Sequence, residues 1–211
     1  MDNENNSNKH NPLKHIELEM LFQSRYKDIF LARINDIEFC LEQEHYMAAL
    51  SLALTLPDIC GKAEYPSDGT TSRYIKWFNQ FMTQYKKSAS PYSDDMPYLS
   101  GETVYNLRNE FLHSGNPNVV KKQIKEELCK IDKFELILGK SYTGDTSMVS
   151  YGANMSVVER EYTVNVYLLC TRLCKIAREY YLNNKEKFDL WVGTYAMENY
   201  NAGVREAYMA I

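Results

Sequence analysis

The chain has 211 residues, of which 45% are hydrophobic and 25% charged, with a net charge of −4; that is the balance of a globular protein able to bury a core without disulfides or a structural metal. The mild acidity argues against a surface coated all round by nucleic acid, while leaving room for a local basic cleft. The longest mainly apolar run, Met47 to Leu56, already contains Ser51 and Thr55 and is about half of what a bilayer span needs, so no membrane partner is expected.

The opening MDNENNSNKHNP lacks the apolar stretch of a secretory leader, and residues 1–12 read as a disordered polar tail ahead of a single domain over 13–211. From Leu21 to Leu41 the residues Phe22, Tyr26, Ile29, Phe30, Ile34, Ile37 and Leu41 recur at helical steps. A second helix is expected from Glu44 to Ile59, kinked or cut short by Pro57 and ended near Gly61. Lys62 to Thr71 reads as a loop, and a third helix follows with Tyr74, Trp77, Phe78, Phe81 and Tyr85 on one broad face. Arg73, Tyr74 and Trp77 there read as core edge.

After a loop broken by Pro91 and Pro97, Ser100 is placed to cap a fourth helix, GETVYNLRNEFLH, with Glu102 favourable in its first turn. Ser114-Gly115-Asn116-Pro117 is a strong stop. Val119 to Asp132 looks like a short helix with a lysine-rich face. Phe134 to Leu138, with Ser147 to Val158 returning as its partner, suggests a β-hairpin insertion over 133–158. A long helix is then expected from Glu159 to Leu182, striped by Val166, Leu169, Leu173, Ile176 and Tyr180, and one more short helix in the last stretch. The expected fold class is all-α, a helical bundle with a small β excursion.

The five cysteines form no CxxC and no zinc-like spacing with histidine. They read as reduced, mostly buried thiols of a cytoplasmic protein, and neither a metal nor another cofactor is expected; Cys170 and Cys174 read as a core pair. No Ser/His/Asp order, phosphate loop or HExxH is present. Four histidines remain: His10 and His15 near the tail, His45 beside Glu42 and Glu44 at a helix start, and His113.

Arg108, Asn109 and His113 are therefore the candidate catalytic residues. Arginine is a permanent forked cation suited to phosphate, and histidine alone among side chains exchanges a proton near neutral pH without help. Asn109 and His113 are four apart and share a helix face, whereas Arg108 and His113 lie about 140° apart on an ideal helix. Either the last turn distorts or the two converge with groups of another chain. Against a functional reading, Arg108 could pair with Glu110 or Glu126, and His113 could cap helix carbonyls. Lys121, Lys122 and Lys125 follow the motif and could extend a positive groove for an RNA backbone, although lysine runs on short elements are usually solvated faces.

LRNEFLHSG closing a helix of a helical bundle resembles the HEPN superfamily of nucleotide-binding helical domains, marked by R-x4-6-H with a polar residue after the arginine. The match runs from Tyr105 to Pro117; the hairpin is not part of the minimal domain. The resemblance implies a homodimer that brings two Arg108/His113 pairs into one cleft and a metal-independent endoribonuclease, with toxin–antitoxin or antiphage roles and hence an antitoxin protein among its partners. The 2′-hydroxyl would be the nucleophile, so the substrate is RNA and DNA is not expected. One His113 would deprotonate the 2′-hydroxyl, the partner subunit's His113 would protonate the leaving oxygen, and the arginines would hold the phosphorane charge. The alternative is a non-catalytic module that binds RNA, a nucleotide or a partner protein through the same cleft.

Overall fold

The computed structural model describes residues 28–85, 95–141 and 144–188. The tail, His10, His15 and the short terminal helix of the sequence reading lie outside these residues. The chain divides into two compact units, residues 1–29 with 190–211, and residues 30–189; of the first, only Asp28 and Ile29 are described.

The described residues run α1 (Ile29–Glu42), whose first residue belongs to the first unit, then α2 (Tyr46–Ala53), α3 (Leu56–Glu64), α4 (Thr70–Phe81), α5 (Gly101–Ser114), β1 (Lys133–Ile137), β2 (Thr146–Tyr151), β3 (Val157–Asn165) and α6 (Val166–Asn183), with short 3-10 turns between. Pro57 does break the second helical stretch: α2 stops at Ala53, and Pro57 sits in the first turn of α3, where its missing N–H costs nothing. The helices close on a core of Ile34, Ile37, Leu50, Leu54, Tyr74, Trp77, Leu107, Leu169 and Leu173. Trp77 stacks on Phe81, and Tyr180 meets both rings edge-on.

The fold is mixed α/β rather than all-α. Three strands form one sheet in the order β1-β3-β2; β1 pairs with β3 in parallel and β2 pairs with β3 antiparallel. The hairpin therefore exists, but it joins β2 to β3 through a turn in which the Gly152 N–H donates to Ser156 O, and Phe134–Ile137 is not one of its arms. The error arose at Glu159–Asn165, assigned above to the following helix. VVEREYTVN instead alternates with period two, placing Arg160, Tyr162 and Val164 on the buried side. The helical stripe begins only at Val166, where Asn165 caps α6 by accepting from the Leu168 N–H at 3.0 Å.

Val119–Asp132 is not a helix either. It holds two 3-10 turns, Lys121–Gln123 and Glu127–Cys129, in a strap laid along α5. Side chains of α5 take the backbone donors a helix would have used. Asn106 Oδ1 accepts from the Val120 N–H at 2.6 Å, and Glu102 accepts from the N–H groups of Lys125 and Glu126 at 3.0 and 3.2 Å.

Candidate phosphate-binding face of the α5 helix

Local signals fix α5 at both ends. Ser100 Oγ accepts from the Thr103 N–H at 3.2 Å, and Gly115 ends the helix with φ of 67°, a left-handed conformation that favours glycine. Gly101 lets the helix start against α4. A Cβ there would stand 2.6 Å from Ile75 O, and its N–H donates to Asn79 Oδ1 at 2.7 Å. The helix is thus wedged between α4 on one side and the strap on the other.

The strap side is fully engaged. Besides Glu102, buried Asn106 donates to Gln123 Oε1 at 2.6 Å while accepting from Val120, and Glu110 accepts from Gln123 Nε2 at 3.5 Å. The strap is anchored further on by an ion pair between Lys121 and Asp132. Partial burial works to raise the Asp132 carboxyl, but the Lys121 ammonium and the Arg160 N–H together hold it below its ordinary value.

Tyr105, Arg108 and Asn109 are half-buried, and Leu112 and His113 are exposed. Arg108 Nη1 donates to Asn109 Oδ1 at 2.8 Å, and Arg108 Nε is buried with no acceptor. No carboxylate pairs with Arg108 among the described residues; of the partners considered from sequence, the Glu110 carboxylate accepts from Gln123 Nε2, and Glu126 lies in the strap, where its backbone N–H donates to Glu102. The helix stays regular to Ser114, so the last turn does not distort. What narrows the 140° divergence is side-chain reach. Arg108 bends to Asn109, which lies about 40° from His113 around the helix.

Because guanidinium can only donate, the oxygen of the Asn109 amide must face it. The amide's N–H groups are left for a phosphate oxygen or an imidazole nitrogen. His113 makes no hydrogen bond among the described residues, so it does not cap the helix. The structure thus brings Arg108 and Asn109 into contact, with His113 one turn beyond.

Of the lysines, Lys121 has its charge matched by Asp132, whereas Lys122 and Lys125 are exposed and unpaired among the described residues. Arg73 pairs with Asp58 at 2.8 Å, and Tyr74 and Trp77 are buried, as a core edge requires. Sequence reasoning passed over two neighbours of the motif. Tyr105 packs edge-on against Tyr74 with ring centroids 5.2 Å apart, and Thr71 Oγ1 donates to its hydroxyl at 2.9 Å. The Tyr105 signal was available, three residues before Arg108; Thr71 comes from α4 and had none.

Cys60, Cys129, Cys170 and Cys174 are buried and Cys40 is half-buried, all as free thiols. Burial pushes the Cys174 thiol up to about 12, far from a reactive thiolate. No three His, Cys, Asp or Glu side chains gather to hold a metal among the described residues, and none of their helices is long and apolar enough to cross a membrane.

In comparisons with known proteins, the chain matches no family model, no curated protein and no solved structure.

Proposed function

We propose that this protein is a HEPN-type, metal-independent endoribonuclease that acts as a homodimer, with Arg108, Asn109 and His113 of both copies facing one RNA phosphodiester. The observation that carries the reading is the state of Arg108. Its only partner among the described residues is a neutral amide oxygen, and one of its N–H groups is buried without an acceptor. A buried donor left unmet costs roughly 1–3 kcal/mol and calls for a physical reason, which a phosphate ligand would supply.

The residues suffice for the transesterification. One His113 takes the 2′-hydroxyl proton as the 2′-oxygen attacks phosphorus; the P–O5′ bond breaks and the partner subunit's His113 protonates the departing oxygen. The products are a 2′,3′-cyclic phosphate and a 5′-hydroxyl. Both Arg108 side chains hold the charge that grows on the phosphorane, and the N–H groups of Asn109 orient phosphate or imidazole. A toxin or antiphage role, with an antitoxin partner, follows from the same reading.

The test is cleavage of a mixed RNA pool by the purified chain in excess EDTA, beside His113→Ala. Cyclic-phosphate ends that vanish in the variant support the nuclease. Equal cleavage by both proteins overturns the assignment of His113. A second reading, a non-catalytic RNA- or nucleotide-binding module, is favoured by one fact: among the described residues of a single chain no hydrogen bond orients the His113 ring. On that reading Arg108→Ala abolishes binding, His113→Ala does not, and no cleavage occurs.

A further inference from the structure

The motif residues are not the only hydrogen-bond donors on this side of α5. Tyr105 lies three residues before Arg108, so the two Cβ atoms stand on neighbouring rows of the helix surface, about 5–6 Å apart. Both lie near the same buried side chain, Tyr74. The Tyr105 ring meets Tyr74 edge-on at 5.2 Å and 63°. The positive charge of Arg108 also acts on the Tyr74 phenol, opposing the burial that pushes it up. Tyr74 itself is immobilised, fully buried with its hydroxyl donating to Leu54 O at 3.0 Å.

The hydroxyl of Tyr105 is held from the other helix. Thr71 Oγ1 donates to it at 2.9 Å, so the phenolic oxygen is occupied as an acceptor while its own proton has no acceptor among the described residues. A few ångströms of helix surface therefore carry two kinds of unmatched donor, the Tyr105 O–H and the Arg108 guanidinium, and no carboxylate pairs with either among the described residues. The ring needs no ordering on binding, because Tyr74 and Thr71 already fix it. A cluster of donors without acceptors is built for an oxygen-rich anion.

We infer that Tyr105, set in place by Thr71, is an additional phosphate-binding residue of this face, its hydroxyl donating to a phosphodiester oxygen of the RNA that Arg108 grips. Thr71 is a positioning residue that touches Tyr105 and not the RNA. The inference rests on the reading of Arg108 as a phosphate ligand. It adds a donor from outside the Arg108–His113 stretch, on the α4 side of the motif helix.

The experiment measures anisotropy of a fluorescein-labelled 2′-O-methyl RNA decamer of randomised sequence, which cannot be cleaved through the 2′-oxygen, at several salt concentrations. Tyr105→Phe keeps the ring on Tyr74 and deletes only the hydroxyl. It is expected to weaken binding about tenfold with the slope of log Kd against log salt unchanged, since a neutral donor displaces no counterion. Arg108→Ala is expected to weaken binding by about a hundredfold and to lower that slope by about one. Should Tyr105→Phe fail to fold, Thr71→Val serves in its place, with a loss of about threefold expected because Tyr105 keeps its hydroxyl but loses its holder. Wild-type affinity in Tyr105→Phe, or in Thr71→Val where that is used, alongside a weakened Arg108→Ala, overturns the inference and leaves the reading of Arg108 standing. Unchanged affinity in all the variants, or no binding by the wild type, overturns that reading and the inference with it.

Discussion

The two sides of α5 carry similar numbers of polar groups and treat them in opposite ways. Toward the strap, Glu102, Asn106 and Glu110 each meet a donor, and buried Asn106 engages both ends of its amide. Toward α4 and solvent, Tyr105, Arg108 and Asn109 contact their neighbours yet keep donors unmatched, and His113 has no partner among the described residues. Polar residues on one helix thus divide by what is left over after folding. A matched group belongs to the architecture, and an unmatched donor beside a permanent cation is available to a ligand.

That division makes mutations on the two sides separable. The largest effect is expected from His113→Ala, which should lower the RNA cleavage rate by about 10²–10⁴-fold, the usual span of a lost general acid or base, with an unchanged urea midpoint. A midpoint that falls together with activity would break the comparison. Asn106→Leu should do the reverse. It removes the partners of the Val120 N–H and the Gln123 amide, and two lost part-buried hydrogen bonds imply destabilisation of about 1–3 kcal/mol in urea unfolding. Any effect on RNA binding should then disappear under conditions where the variant is fully folded. Full stability in Asn106→Leu would mean that Asn106 does not hold the strap, leaving Glu102 and Glu110 as its anchors on α5.

The helix that bears the site was the most legible part of the sequence, because its limits are local. The Ser100 cap and the Gly115 stop are one-residue signals read without knowledge of the rest of the chain, and both stand. The sheet was not legible for the opposite reason. Phe134 pairs with Tyr162, across most of the intervening loop and hairpin, and parallel pairing leaves no turn motif between its partners. The alternation in VVEREYTVN was on view, but it runs without a breaker into the stripe of α6, and the two periods merged. Lys121 to Glu127 has helical composition, overridden by Glu102 and Asn106 capturing its backbone. For the site, residue types and spacing pointed to Arg108, Asn109 and His113. Helical angles alone, however, hid the contact of Arg108 with its immediate neighbour, because adjacent residues meet only when one side chain is long enough to fold back.

The smallest effect tests whether the strap is anchored where the geometry places its anchor. Asp132 takes Lys121 Nζ and the N–H of Arg160, at 2.9 Å for the latter, and its carboxyl is held below the ordinary value of 3.8. A carboxyl whose pKa is lower in the folded state binds protons more tightly when unfolded. Its contribution is therefore complete above the unfolded value and is lost as pH falls through the folded one. Asp132→Asn should lose about 1 kcal/mol or less at pH 7, since the pair is partly solvated. The gap between wild type and variant should narrow as pH falls below the ordinary value of 3.8 and close only below the lower folded-state value, where both side chains are neutral. Urea unfolding at pH 7 and at pH 3 measures both numbers. A gap that has not narrowed at all at pH 3 would assign the loss to packing rather than charge, and the strap would then owe its position to buried Ile124 and Ile131 more than to Lys121. RNA affinity at pH 7 gives the complementary reading. If the strap only supports the helix, Asp132→Asn leaves affinity unchanged. If the freed Lys121 joins Lys122 and Lys125 in meeting the RNA backbone, affinity rises and the salt slope steepens.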